Sequence, residues 1–323
     1  MLLAGASPPI GGRHLVRKNE TWSAPAGQVS ALFWPLALLA VGCDAGARLG
    51  WWAIDSGPIT AGAIAVMLIG GLPHGACDMA LAATAWHTDR RMMVPIVMAY
   101  LGVAGLMTVL WWLAPVAALL LFLALAGLHF GEDWAMLPPG LLRIMAGLAV
   151  IAAAALGAPH AVSALFTAMT GSSLATPIAD WAAAMAPMTL LVTLVGLILA
   201  WQAGHRGWVL AQGVSYACLL TLPPLIGFGV FFVGLHAPLH WRQVIRTLPP
   251  LRHGAALQQG AGLTVLVLTV WLGALWGRGL MVAAPTAWIM VGGDAFRLLS
   301  IVAAPHLALS LAIARRMNRP HAG

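Results

Sequence analysis

The chain has 323 residues, of which 61% are hydrophobic and only 8% are charged, and its mean hydropathy is +0.91. Soluble globular domains carry about 25% charged residues, so this composition excludes a soluble protein and indicates a polytopic membrane protein. The net charge of +7 would suit nucleic-acid binding if the cations formed one patch. The arginines instead lie at the ends of apolar segments, so we expect no nucleic-acid partner.

Ten apolar segments follow one another along the chain. We interpret them as helices, because only helices and closed barrels satisfy the backbone in lipid and these segments are too long for barrel strands. The predicted fold is an all-α bundle of about ten transmembrane helices, near residues 31–50, 58–87, 92–113, 116–134, 141–158, 180–201, 208–222, 225–241, 260–278 and 295–314. Segment 279–294 is apolar but broken by proline and glycine, and the sequence leaves open whether it spans the membrane or is re-entrant.

Basic residues orient the bundle. If the basic N-terminal tail is inside, alternate crossings place most of the other arginines on the same side, so we expect a multi-pass protein of the inner (plasma) membrane with a cytoplasmic N-terminus. We expect a flexible tail at 1–30, a single membrane-embedded domain at 31–315 and a basic cytoplasmic tail at 316–323. The three cysteines show no CxxC spacing, so they indicate neither a disulfide framework nor a thiolate metal site.

The second apolar segment contains a histidine with an acidic residue one turn away, His74 and Asp78. Pro73 cannot donate a backbone hydrogen bond, so we expect the helix to kink there. Asp78 can accept a proton from one imidazole nitrogen and leave the other nitrogen for a metal. The alternative is structural: Asp78 satisfies a buried His74 inside a kinked helix.

Two further segments contribute histidines. His129 is followed by Glu132 and Asp133, either of which can orient it, although acids at a helix end can also simply face water. His236 and His240 are four residues apart, on one helical face, where two imidazoles can bind one ion. A purely structural role, with hydrogen bonds to neighbouring helices, remains the alternative for this pair.

His306 follows Pro305 in the last segment and has no acidic or histidine partner one turn away. We therefore expect it to orient a ligand or to line the pocket rather than to act as a fifth ligand. The predicted topology places all five of these histidines in the second half of spans that run from outside to inside. This common depth predicts that they share one site.

All-nitrogen ligation without thiolates suits iron, zinc or copper, and carboxylates that hold histidines without ligating leave coordination positions open. We favour Fe(2+) and oxygen chemistry. The sequence shows no Gly-rich dinucleotide fingerprint and no CxxC redox pair to bring in electrons, and a dioxygenase needs no external reductant. Zinc proteolysis is disfavoured because HExxH is absent.

At these residues the chain resembles a known family. The motifs Pro73-His74-Gly75 with Asp78, His129-Phe130-Gly131, the His236/His240 pair and Pro305-His306 are similar to the Brp/Blh membrane carotene dioxygenases, in order and approximate spacing. The resemblance implies cleavage of β-carotene, or a related carotenoid, by O2 at the central double bond, giving two molecules of retinal. It also implies non-haem iron held by His74, His129, His236 and His240, and it makes 31–315 the catalytic domain.

Two residues differ from the family pattern. Leu235 stands where family members often have an aromatic residue, and Pro238 lies inside the histidine pair. We expect such changes to affect the pocket more than the ligation. The substrate and the membrane lipid are the expected partners, and a rhodopsin is one candidate acceptor for the retinal.

Two other classes of protein remain open from the residues alone. A haem-binding membrane cytochrome would use two of the histidines as axial ligands. A proton-coupled transporter would use the histidine and aspartate pairs as a relay.

Overall fold

A computed structural model describes residues 28–54, 56–86, 90–138, 140–280 and 287–317, with the side chains of residues 74, 90, 92 and 317 outside the description. All regular structure in the described residues is helical. The helices are α1 (Phe33–Arg48), α2 (Gly57–Gly75), α3 (Asp78–Trp86), α4 (Arg90–Leu113), α5 (Pro115–Gly131), α6 (Leu141–Gly157), α7 (Pro159–Thr170), α8 (Thr176–Gln202), α9 (Arg206–Thr221), α10 (Pro224–Phe231), α11 (Ala237–Thr247), α12 (His253–Gly277) and α13 (Ala287–Met317).

The all-α membrane fold predicted from the sequence is confirmed, and the count of about ten spans is approximate. In the described residues, seven helical stretches are long and apolar enough to cross a membrane, or eight if the bent pair α6–α7 counts as one span. Helices α1 and α9 have 16 residues each, which is about 24 Å at 1.5 Å per residue. Both therefore fall short of the roughly 30 Å hydrocarbon core.

The broken segment before the last span is partly resolved by the structure. Residues 281–286 lie outside the description, whereas residues 287–294 form the first two turns of α13. Most of the two predicted tails, 1–30 and 316–323, also lies outside the described residues, so the tail predictions remain predictions.

The helix that carries Pro73 is interrupted close to the predicted kink. Helix α2 ends at Gly75 and α3 begins at Asp78, with a turn between them. Proline lacks the backbone N–H that would continue the helical hydrogen bonds, so a break near it is expected. The interruption frees the start of α3 to present Asp78 toward the interior.

Small residues bring α5 and α6 into close contact. A Cβ atom added to Gly147 would lie 1.8 Å from the carbonyl oxygen of Gly127, and one added to Gly131 would lie 2.6 Å from the carbonyl oxygen of Arg143. Glycine is required at such positions, because any side chain would separate the helices. Helix α13 packs against α2 and α5, and α2 packs against α11, so the helices that carry the membrane histidines form one contiguous core.

Candidate metal centre

The structure brings together three of the four histidines predicted as ligands. His129 on α5, and His236 and His240 at the start of α11, each offer a nitrogen atom, and these atoms lie within 4.8 Å of one another. The ring centroids are 4.5–4.6 Å apart and all three residues are buried. The backbone of His74 belongs to α2, but its side chain lies outside the description, so its role stays a prediction.

Each of two consecutive carboxylates orients a different histidine. Glu132 Oε2 is 3.0 Å from Nδ1 of His129, and the two oxygens of Asp133 are 3.1 and 3.0 Å from Nδ1 of His236. A carboxylate can only accept, so each contact assigns the proton to Nδ1 and the lone pair to Nε2. Glu132 is therefore the partner of His129, and Asp133 is the partner of His236. Asp133 also lies 3.5 Å from Nε2 of His240.

His306 lies beside the three histidines and has a carboxylate partner of its own. Its ring centroid is 5.4 Å from that of His129, and its Nδ1 donates to Asp78 Oδ1 at 2.8 Å. The other oxygen of Asp78 accepts a hydrogen bond from the Tyr100 hydroxyl at 3.0 Å. Sequence spacing pairs Asp78 with His74, whereas the described side chains that it contacts come from α4 and α13.

Tyr100 is the site residue that the sequence interpretation missed. It lies in an apolar helix far from any histidine motif, so no spacing rule points to it. The available signal was its rarity: the chain has two tyrosines, and a buried hydroxyl needs a hydrogen-bond partner.

An apolar cavity extends from the histidines between α2, α5, α10 and α13. This cavity, here called the histidine chamber, has a volume of about 60 Å³, and its polar side chains among the described lining residues are His129, Ser300 and His306. A second cavity of about 60 Å³, the far chamber, adjoins it and is bounded by α5, α6, α7 and α13. The two chambers share the walls formed by Phe122, Ala126, Phe130 and Phe228.

A row of aromatic rings runs along the cavity to the metal centre. The rings of Phe296 and Phe228 are 5.2 Å apart, Phe228 and Phe232 stack at 5.2 Å, and Phe232 stacks on His236 at 5.5 Å. Residues 228, 232 and 236 share one helical face because they are four residues apart. The row offers flat apolar surface along the direction in which an extended molecule would lie.

Comparison with known proteins identifies the family. The family model described as Beta-carotene 15,15'-dioxygenase matches residues 63–313, a range that contains every histidine and carboxylate of the site. The chain belongs to this family. A curated relative from Uncultured marine bacterium 66A03, named Beta-carotene 15,15'-dioxygenase, is 25% identical over 265 residues, which cover 76% of this chain and 85% of the relative. No solved structure matches the chain. Family membership makes the protein a carotenoid-cleaving dioxygenase.

The structure shows the surroundings of Leu235 and Pro238, the two residues that the sequence analysis sets apart from the family pattern. A π-helical turn covers Phe232–His236, and Pro238 falls in the first turn of α11, where a missing N–H costs little. The centroids of His236 and His240 remain 4.5 Å apart. Leu235 is buried, and the rings of Phe231 and Phe232 in the preceding turn stack on His236.

Proposed function

We propose that this protein cleaves the central double bond of β-carotene with O2 to give two molecules of retinal, with ferrous iron held by His74, His129, His236 and His240. One observation carries the proposal. In a member of the carotene dioxygenase family, three buried imidazoles lie close enough to hold one metal ion, at the end of an apolar cavity.

The donor set fits iron. Imidazole nitrogen is a common ligand of iron, zinc and copper, and the carboxylates at Nδ1 of His129 and His236 direct the Nε2 lone pairs away from themselves. Those Nε2 atoms are buried. Zinc is redox-inactive, so a reaction with O2 favours iron or copper, and we choose iron because the family resemblance implies it. A bound ferrous ion would supply the electron transfer that makes O2 reactive toward a double bond.

The chain itself binds, orients and excludes water. The aromatic row from Phe296 to His236 lies along the cavity and would hold an extended polyene by its flat face. The nearly continuous apolar lining keeps water away from the double bond. Each aldehyde receives one oxygen atom of O2, and the cleaved carbon–carbon bond supplies all four electrons, so no external reductant enters the balance.

The carboxylates hold the imidazoles in place. Asp133 contacts His236 through both oxygens from a site that is almost inaccessible to solvent. Asp78 fixes His306 at the edge of the cavity, and Tyr100 fixes Asp78. Such outer partners set ring orientation and increase ligand basicity. We assign His306 to the pocket wall rather than to the ligand set.

We further propose that the protein resides in the inner (plasma) membrane with its N-terminus in the cytoplasm. The apolar helices establish a membrane protein, and the distribution of arginines supports this orientation. Retinal would be released into the lipid, where a rhodopsin is one candidate acceptor.

Expression in a carotene-accumulating bacterium tests the reaction. Wild type is expected to convert the orange pigment to retinal, and His236→Ala and His240→Ala are expected to abolish retinal formation while the protein remains in the membrane. His160→Ala is the matched control, because His160 is also a helical histidine but is exposed. Normal cleavage by either variant of the pair would contradict the proposed ligation, and a Soret band in the purified protein would indicate haem instead.

A further inference from the structure

On α5 and on α13, the apolar chambers lie mainly on the N-terminal side of the histidine. On α5 their lining begins at Phe122 and ends next to His129, and on α13 it begins at Phe296 and ends next to His306. The ten residues from Phe296 to His306 span about 15 Å of helix. Beyond Leu307 neither chamber continues among the described residues of α13, and Ile313 belongs to a separate buried cluster. The described cavity therefore extends from the histidines in one direction.

Helix α7 closes the far chamber. Its residues Val162, Leu165, Phe166 and Met169 are spaced as one helical face, are all buried and all line this chamber. The axis of α7 turns by 112° from that of α6. The helix thus lies across the direction of α6 and presents its apolar face as an end wall.

The end wall is fixed to the helix that carries His306. Arg297 of α13 donates to the carbonyl oxygen of Met169 in the last turn of α7, and Asp294 pairs with Arg297 at 3.2 Å. A Cβ atom added to Gly293 would lie 3.0 Å from the backbone of the same turn of α7. One rigid element therefore sets the distance between the end wall and the histidines.

The depth of the cavity matches half of the substrate. Nine bonds separate the central double bond of β-carotene from the ring carbon to which the chain is attached. An extended polypeptide advances about 1.2 Å per bond, and a polyene at the same rate covers about 11 Å over nine bonds. The ring adds a few ångströms more. A molecule whose ring touches α7 would thus place its central double bond beside the histidines.

We propose that α7 is an end stop that measures this distance, so that the depth of the cavity determines which double bond is cut. The inference rests on the proposed function and adds specificity-determining residues to it, Phe166 and Met169 among them. One half of the substrate lies in the two chambers, and the other half continues past the histidines and lies outside both chambers.

The test is the product pattern of variants that change the depth. Phe166→Ala and Met169→Ala deepen the cavity, so the ring moves inward and the next double bond reaches the histidines. The expected products are an aldehyde two carbons longer and a ketone two carbons shorter than retinal, which together conserve the carbons of β-carotene and both atoms of O2. Since a misplacement of about 1 Å can cost on the order of 100-fold in rate, we expect central cleavage to fall by about that factor.

Met107→Ala is the matched control, because Met107 is equally buried but does not line the cavity. It is expected to give retinal alone. Ala154→Leu shortens the far chamber and, because the substrate is symmetric, is expected to give the same off-centre pair of products.

The outcomes separate this inference from the proposed function. Absence of retinal from wild type would contradict the proposed function, whatever the variants do. Retinal as the single product of end-wall variants that accumulate in the membrane would overturn the end stop. Wild type can also be tested with an apocarotenoid that keeps one β-ring and is shortened at its other end. An end stop measures from the intact ring, so the expected product is retinal. Cleavage at the midpoint of the shortened molecule would refute the end stop.

Discussion

Replacing Asp133 by asparagine tests whether the buried carboxylate holds the histidines for a metal. Asp133 is 2% exposed and contacts Nδ1 of His236 at 3.0 and 3.1 Å. A hydrogen bond to a charged group contributes about 1.5–3 kcal/mol, and 1.36 kcal/mol corresponds to a tenfold change in an equilibrium constant. We therefore expect Asp133→Asn to weaken metal binding about 10- to 100-fold, as is usual for such outer partners.

The neighbouring carboxylate provides the comparison. The side chain of Glu132 is 39% exposed, so water can replace part of its interaction with His129, and exposed ion pairs contribute only about 0.2–1 kcal/mol. We expect Glu132→Gln to weaken metal binding only severalfold. Asp180→Asn, at an exposed position on α8, is the control and should change nothing.

The assay is an anaerobic titration of the metal-stripped protein with ferrous iron, followed by retinal formation at each iron concentration. Asparagine can still accept one hydrogen bond, so saturating iron should restore much of the activity of Asp133→Asn. Wild-type iron affinity in this variant, or a larger loss in Glu132→Gln, would refute the reasoning from burial.

Three further predictions follow from named contacts. Tyr100→Phe removes one hydrogen bond to a buried carboxylate, worth about 1 kcal/mol, and should lower kcat about fivefold. Tyr216 donates its hydroxyl to a backbone carbonyl of α6, so Tyr216→Phe is the control and should leave kcat unchanged. Equal kcat values for the two variants would contradict this prediction. Gly147→Ala places a Cβ 1.8 Å from a carbonyl oxygen of α5 and should lower the free energy of unfolding by at least about 1–3 kcal/mol, measured as a lower Tm. Gly102 has open space around it, so Gly102→Ala should leave Tm unchanged. His306→Gln should retain the iron content of wild type and raise KM for the carotene, and loss of iron would make His306 a ligand.

Interactions within one helix could be predicted from the sequence. The distance of three residues from His129 to Glu132, and of four from His236 to His240, fixes which side chains share a face, and the structure shows both contacts. The same rule pairs Asp78 with the histidine of its own segment. The structure instead brings Asp78 to His306, more than 200 residues away, and no spacing rule reports a contact between separate helices.

The number of spans shows the same limit. Hydropathy identifies apolar segments but does not show where a helix ends or bends. Helix α6 is followed directly by α7 at 112°, because Pro159 begins a new helix and Ala158 adopts a non-helical conformation. Arg297 and Asp294 belong to no sequence motif. Their contact with the last turn of α7 is seen only in the packing of α13 against α7.

The turn after α5 explains how two adjacent carboxylates serve two helices. Helix α5 ends at Gly131, and the next three residues form a 3-10 turn, in which successive side chains point about 120° apart. Glu132 consequently faces the histidine of its own helix, and Asp133 faces His236. Arg143 holds the chain that follows by donating to two backbone carbonyls, and the close approach of its own backbone requires the glycine at 131. The contact between α5 and α6 thus positions both carboxylates, so a substitution that separates these helices should reduce metal affinity as well as stability.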